Sequence, residues 1–198
     1  MVRGLDALRR KSCRGPVPVY MSRLAAPAID WGSHEPAVQS FQAGTRITVG
    51  DIDVNTFTVP HDAVDPLGFC FRAEGLKIGL VTDLGYIPES VKFHLRGTHL
   101  LVLESNHDLD MLKVGPYPWV VKQRVMGRNG HLSNDSVSEF ILNSLDASTE
   151  TLVLSHLSEQ NNHPEIARLS ARMALNQRGL ATRLVVANRD GAGEIFRY

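Results

Sequence analysis

Cysteine is scarce in this 198-residue chain: Cys13 and Cys70 are the only two, and they lie far apart. Secreted folds that depend on disulfides carry several pairs, so that class is excluded and a reducing compartment is expected. Long apolar runs are missing too. None approaches the roughly 20 residues that a helix needs to cross a membrane. Met1 to Arg10 holds no uninterrupted apolar stretch of the kind a signal peptide carries. Net charge is absent as well, because 21 Lys and Arg balance 21 Asp and Glu. Bulk electrostatics therefore cannot hold this protein on a nucleic acid, and any such contact must be a local basic patch. There is no repeat, no low-complexity tract and no linker-like stretch. The expectation is one soluble, cytoplasmic domain over residues 1–198.

What is present reads as a layered α/β chain. Hydrophobic residues make up 43% of the sequence, an ordinary share for a domain that buries its own core. Val2, Leu5 and Leu8 fall at helical spacing with Arg9, Arg10 and Lys11 opposite, so the chain opens on a helix. Strands are expected at Val17 to Met21, Val38 to Phe41, Arg46 to Val49 and Ile52 to Val59, with a tight hairpin at Gly50-Asp51. A short helix interrupted at Pro27 is expected over Ser22 to Ile29. Gly68 to Ala73 and Lys77 to Thr82 form a further pair around Glu74-Gly75. The runs His99 to Leu103 and Thr151 to Leu154 read as buried strands. Helices are expected after Pro88, over Asp108 to Val114, Pro118 to Met126, Ser133 to Leu145 and Pro164 to Gln177. Two strands, Arg183 to Ala187 and Glu194 to Tyr198, close the chain around Asp190-Gly191.

Four of the strand-like runs end in a residue able to bind a metal or move a proton: His61, Asp83, Glu104 and His156. In layered α/β folds the loops at one sheet edge collect functional groups while the strands hold them. Two imidazoles and a carboxylate suit zinc or another borderline divalent ion. Taken singly, each residue has an ordinary reading: a surface histidine, or a turn-forming aspartate. Glu104 is harder to read that way, because it follows Leu-Leu-Val-Leu and starts near the core. A fifth element, Gly130-His131-Leu132-Ser133-Asn134, precedes a helix. Lys122, Arg124 and Arg128 lead into it and form a basic edge suited to phosphate, although such a run is more often a solvated helix face. His107, in Asn106-His107-Asp108, is expected to line the same cleft as Glu104. His34, His94, His99 and His163 are assigned no metal.

These residues together resemble the metallo-β-lactamase superfamily, in particular its YycJ/WalJ-like branch, related to ribonuclease Z. The resemblance rests on Val59-Pro60-His61-Asp62-Ala63 with Asp65-Pro66-Leu67-Gly68-Phe69, then Val81-Thr82-Asp83-Leu84-Gly85, Leu103-Glu104-Ser105-Asn106-His107-Asp108, Gly130-His131-Leu132-Ser133-Asn134 and Leu154-Ser155-His156-Leu157-Ser158. Each is short, but all stand in the family's order. The resemblance implies an αββα sandwich with two metal ions, zinc or manganese, at one edge. It implies that His61, Asp83 and His156 are metal ligands and that Asp83 bridges the ions. It implies that His131 protonates the leaving group, that Glu104 orients it, and that Arg128 and Asn106 face the substrate. The activity implied is metal-dependent hydrolysis of phosphodiesters, with nucleic acid as the expected partner.

One feature of the family is missing. Its His-x-His-x-Asp-His motif should stand just ahead of a helix like Val2-Arg3-Gly4-Leu5-Asp6-Ala7-Leu8, where this sequence begins. The expectation is an N-terminally truncated sandwich with incomplete metal sites, prone to associate as a homo-oligomer through unpaired strand edges. Either it is a truncated product or it is a catalytically inactive remnant that acts as a binding or assembly module.

Overall fold

Strands form where β-branched and aromatic residues alternate with polar ones, and helices where apolar residues recur at three- and four-residue spacing. The computed structural model describes residues 17–29, 31, 37–188, 191 and 193–198. Its elements run β1 (Val19–Ser22), a 3-10 turn (Ala26–Ala28), β2 (Val38–Phe41), β3 (Arg46–Val49), β4 (Ile52–Thr58), β5 (Leu67–Ala73), β6 (Leu76–Val81), α1 (Glu89–Leu95), β7 (Leu100–Glu104), α2 (Leu109–Val114), α3 (Trp119–Met126), α4 (Asn134–Asn143), β8 (Thr151–Ser155), α5 (Pro164–Gln177) and β9 (Arg183–Val186). Strands β3 to β9 make a seven-stranded sheet in sequence order. Neighbours are antiparallel from β3 to β6 and parallel from β6 to β9. Each parallel step crosses over through helix, as parallel pairing requires.

One face of this sheet is the core. Gly79, Leu101, Leu152 and Leu184 stand in register across four strands, and Val81, Leu103 and Leu154 form the next row. They pack with Val91 and Leu95 of α1, Val137, Phe140 and Ile141 of α4, and Ala167, Ala171, Ala174 and Leu175 of α5. The helices start on side-chain caps. Asp108 accepts from Asp110 N and Met111 N, Ser133 from Ser136 N, and His163 from Glu165 N with Pro164 following. On the opposite face Phe69, Leu80, Val102 and Val185 are only half-buried. The parallel ribbon of β1 and β2 lies over part of it, and Tyr20 and Phe41 share an apolar cavity of about 370 Å³ with Ile47, Val54, Phe71 and other sheet residues.

Several expectations shift. Ser22 belongs to β1, and the helix expected over Ser22 to Ile29 shrinks to a 3-10 turn, because Pro27 cannot donate the hydrogen bond a longer helix needs. Glu194 to Tyr198 is no strand. Among the described residues, side chains tie this segment back: Arg183 pairs with Glu194, and Tyr198 Oη donates to Thr151 Oγ1 at 2.9 Å. The helix expected from Val2, Cys13, His34 and Asp190 lies outside the described residues. Of the sandwich's second sheet, the described residues contain the β1–β2 ribbon.

Arg178, just past α5, donates from Nη1 to the carbonyls of Ile141 (2.8 Å) and Leu145 (2.7 Å). These are carbonyls at the C-terminal end of α4, where a cation also meets the negative end of the helix dipole. Arg178→Met is expected to lower the unfolding free energy by about 1 kcal/mol, with Arg178→Lys recovering part of it. Urea titration would measure this. An unchanged midpoint would mean that water serves those carbonyls as well.

Candidate metal centre

Strand direction gathers the site. β4 and β6 are both antiparallel to β5, so they run the same way, and β7 and β8 follow β6 in parallel. The C-terminal ends of all four therefore lie along one sheet edge. His61 follows β4, Asp83 follows β6, Glu104 ends β7 and His156 follows β8. His131 reaches the same edge from the connection between α3 and α4. Asp83 and His156 leave their strands in the left-handed backbone region, with φ of 58° and 56°. Side chains other than glycine's rarely adopt it, and Asp and His are among those that tolerate it best. Such backbone persists where the surroundings hold it, which is common at functional sites.

Glu104 is the centre of this arrangement. Its side chain is fully buried, and each oxygen accepts two hydrogen bonds. Oε1 takes the Nδ1–H of His131 (2.8 Å) and of His156 (2.6 Å). Oε2 takes the backbone N–H of Leu84 and of Leu132, each at 3.1 Å. Burial pushes the carboxyl upward, but the bonds from His131 and His156 more than offset it and hold it at about 2. The same contact raises His156, its bond to Glu104 outweighing burial, with the charges of Glu104 and Asp83 adding to it.

His61 is anchored differently, through Nδ1 to the Gly130 carbonyl at 3.0 Å. All three imidazoles thus have Nδ1 held by an oxygen acceptor. Asp83 Oδ1 stands between them, 3.9 Å from His61 Nε2, 4.0 Å from His131 Nδ1 and 3.6 Å from His156 Nδ1. Those separations are too long for hydrogen bonds. Ligand atoms of Asp83, Glu104, His131 and His156 lie within 4.8 Å of one another. Imidazoles held in place through Nδ1, beside a carboxylate with an uncommitted oxygen, make the kind of donor set that borderline divalent ions take. The residues present fit a metal. Glu104 fits one least, because binding through either oxygen would give up bonds on which the fold rests.

His61, Asp83, Glu104, His131 and His156 are thus brought together. Asn106 stands next to them but is 9% exposed, and its Nδ2 donates to the His156 carbonyl at 2.9 Å. It braces the strained loop. His107 is corrected: it is 1% exposed, buried away from the cleft, and neither ring nitrogen has a hydrogen-bond partner among the described residues. The basic edge is corrected too. Lys122 is buried and donates to the Lys113 carbonyl, and Arg124 pairs with Asp62. Arg124 and Arg128 both stay exposed, but Arg128 has no carboxylate partner among the described residues, and its guanidinium lies 4.2 Å above the centre of the Tyr86 ring. The sequence reading left Asp62 and Tyr86 without roles. Asp62 follows a singled-out histidine directly, a signal that was there, whereas nothing in the sequence pairs Tyr86 with Arg128.

Residues 2–157 match the family described as the beta-lactamase superfamily domain. Over 98% of its length the chain is 32% identical to the exodeoxyribonuclease YycJ of Bacillus anthracis, of which it covers 70%. It is 36% identical over 140 residues to the exodeoxyribonuclease WalJ of Streptococcus pneumoniae, covering 71% of this chain and 52% of that one. The chain therefore spans only about half the length of the streptococcal relative. Its fold resembles that of the metallo-beta-lactamase fold protein YhfI from Bacillus subtilis, with a TM-score of 0.69, 14% identity and coverage of 94% of this chain and 70% of that one.

His107 generates a prediction. Burial holds it well below its ordinary value, at about 4. Between pH 6.5 and 4 the unfolded chain takes up a proton there that the folded chain refuses, so stability present above pH 6.5 is lost on acidification. His107→Leu removes that loss. Any packing change shifts the variant by a constant, so the change in the difference with pH is diagnostic. Between pH 7 and pH 5 the stability difference is expected to move by about 2 kcal/mol in favour of the variant. Urea titrations in chelator would measure it, and a pH-independent difference would mean that His107 protonates freely in the fold.

Proposed function

The chain belongs to the beta-lactamase superfamily, and from that membership we propose that it is a metal-dependent nuclease acting on the phosphodiester linkages of DNA. The observation that carries the reading is the set of three imidazoles, each anchored through Nδ1, around the free oxygen of Asp83. The relatives named exodeoxyribonucleases support the choice of DNA.

His61, Asp83 and His156 are the residues that would hold a divalent ion, zinc or manganese. When bound, such ions supply an activated hydroxide and charge stabilisation for an in-line displacement. A pair of ions would divide these ligands and leave each shell incomplete, so the chain is expected to hold metal weakly. His131 protonates the leaving oxygen. Glu104 is a positioning residue: it fixes the tautomer of His131 and keeps its proton on Nδ1 until the ring takes up a second one. A metal-holding His156 and a proton-donating His131 on one carboxylate oxygen are thereby kept at fixed separation. Arg128 holds a substrate phosphate, and Asn106 acts through His156 rather than on substrate. A nuclease of this kind suits a reducing cytoplasm, where Cys70 stays free.

The test uses the chain with manganese or zinc in excess. Cleavage of DNA is expected, and loss of it in chelator. His131→Ala should slow DNA cleavage by roughly 10²–10⁴-fold, the range typical of a general acid. An activated aryl phosphodiester, whose leaving group needs no proton, should be slowed far less. Metal content should not change. Equal losses on both substrates, or loss of metal, would move His131 into the metal shell. A metal-loaded wild-type chain that cleaves neither substrate would favour the second reading, a non-catalytic binding module.

A further inference from the structure

The cations around the site are not equivalent. Arg124 is neutralised by Asp62, Lys113 by Asp110, and Lys122 is buried on a backbone carbonyl. Arg128 has no carboxylate partner among the described residues, and its exposed guanidinium rests on the face of Tyr86 at 4.2 Å. Both residues sit on loops that carry the candidate site, Tyr86 just past Asp83 and Arg128 just before His131. Those loops are in backbone contact. A Cβ on Gly85 would stand 2.3 Å from the Arg128 carbonyl oxygen and 2.5 Å from that of Gly127, so only glycine admits the approach. Asp62 N donates to the Asn129 carbonyl at 3.1 Å, and Gly85 N to the Pro60 carbonyl at 2.9 Å. The three loops bearing His61, Asp83 and His131 are therefore locked together, and the Tyr86–Arg128 stack is fixed to their rim.

We propose that this stack is a preset phosphate grip: Arg128 takes a backbone phosphate flanking the scissile linkage, and Tyr86 is the positioning residue that holds the guanidinium flat and aimed. The proposal rests on the nuclease reading and deepens it, because it makes the site select polynucleotide over an isolated phosphodiester. A free arginine loses much side-chain freedom when it closes on a phosphate, and the ring removes most of that loss beforehand. The planar fork suits two phosphate oxygens, while its face stays available to the ring. Lysine can do neither, so Arg128→Lys is not a conservative change here.

Two measurements test this. In chelator, a fluorescently labelled single-stranded oligodeoxynucleotide is titrated with the chain at a series of salt concentrations. Arg128→Ala is expected to weaken binding about tenfold and to reduce the salt slope by about one. Tyr86→Leu should follow it, Tyr86→Phe should retain wild-type affinity because the ring remains, and the Tyr86→Leu/Arg128→Ala double variant should lose little beyond Arg128→Ala alone. With metal, Arg128→Ala and Tyr86→Leu should each raise KM for the oligonucleotide about tenfold more than KM for an aryl phosphodiester, which has no flanking phosphate. An unchanged salt slope in Arg128→Ala, a Tyr86→Phe variant as weak as Tyr86→Leu, or equal losses on both substrates would overturn the grip. Failure of wild type to cleave either substrate would sink the nuclease reading instead, and the chelator titration would still decide whether the grip exists.

Discussion

A buried carboxylate with four donors constrains everything else at this edge of the sheet. An ionised Glu104 out of water is costly unless its oxygens are bonded. Meeting that requirement calls on four donors from three separate places in the chain. Leu84 N comes from the loop after β6, Leu132 N from the connection into α4, His131 from the same connection, and His156 from the loop after β8. The carboxylate stands at the end of β7, in the middle of the sheet. Its neighbours on either side are brought to it, and removing any one donor would leave a buried oxygen with half of its hydrogen bonds.

That arrangement explains how two left-handed backbone positions survive. Asp83 and His156 turn sharply out of β6 and β8. For each, a neighbouring group is tied to the scaffold: Leu84 N to Glu104, Gly85 N to the Pro60 carbonyl, and the His156 carbonyl to Asn106 Nδ2. The Asn106 backbone is itself fixed, its N–H donating to the Leu132 carbonyl and its carbonyl accepting from Ser158 N. The strain therefore sits inside a mesh that also fixes the imidazoles. Residues that carry no charge in the site keep its charged ones aimed.

Much of the fold is legible in the sequence, for local reasons. The alternation after Asp51 marks β4, and the run ahead of Glu104 marks β7, because period and burial agree there. Pro164 and the capping residue before it set the start of α5. The five residues at the sheet edge are legible together, since each follows or interrupts an apolar run and the family order links them. What is not legible depends on tertiary placement. Glu194 to Tyr198 has the composition of a strand, yet among the described residues it is side chains that reach β8 and β9. His107 shares a motif with Glu104 but points into the interior, and Asn106 turns its amide to a backbone carbonyl. Spacing along the chain cannot distinguish these outcomes, because they depend on which loop from elsewhere comes to lie alongside.

Charge illustrates the same point at the scale of the whole protein. A sequence with no net charge and a basic run before His131 invites the reading of a positive stripe. The fold dismantles the stripe. Lys122 is buried with its ammonium on the Lys113 carbonyl, and Arg124 meets Asp62, the residue directly after His61. What survives is one guanidinium laid on one aromatic ring, at the rim of a site whose own carboxylates, Asp83 and Glu104, would repel a polyanion. An isolated, oriented cation is a weak attractor at long range under physiological salt, where screening acts within about 8 Å. It is effective only once the ligand is already seated. On the proposed reading, attraction would therefore belong to the contact geometry and not to the field of the molecule, since the balanced charge of the chain offers no net field to an anionic substrate.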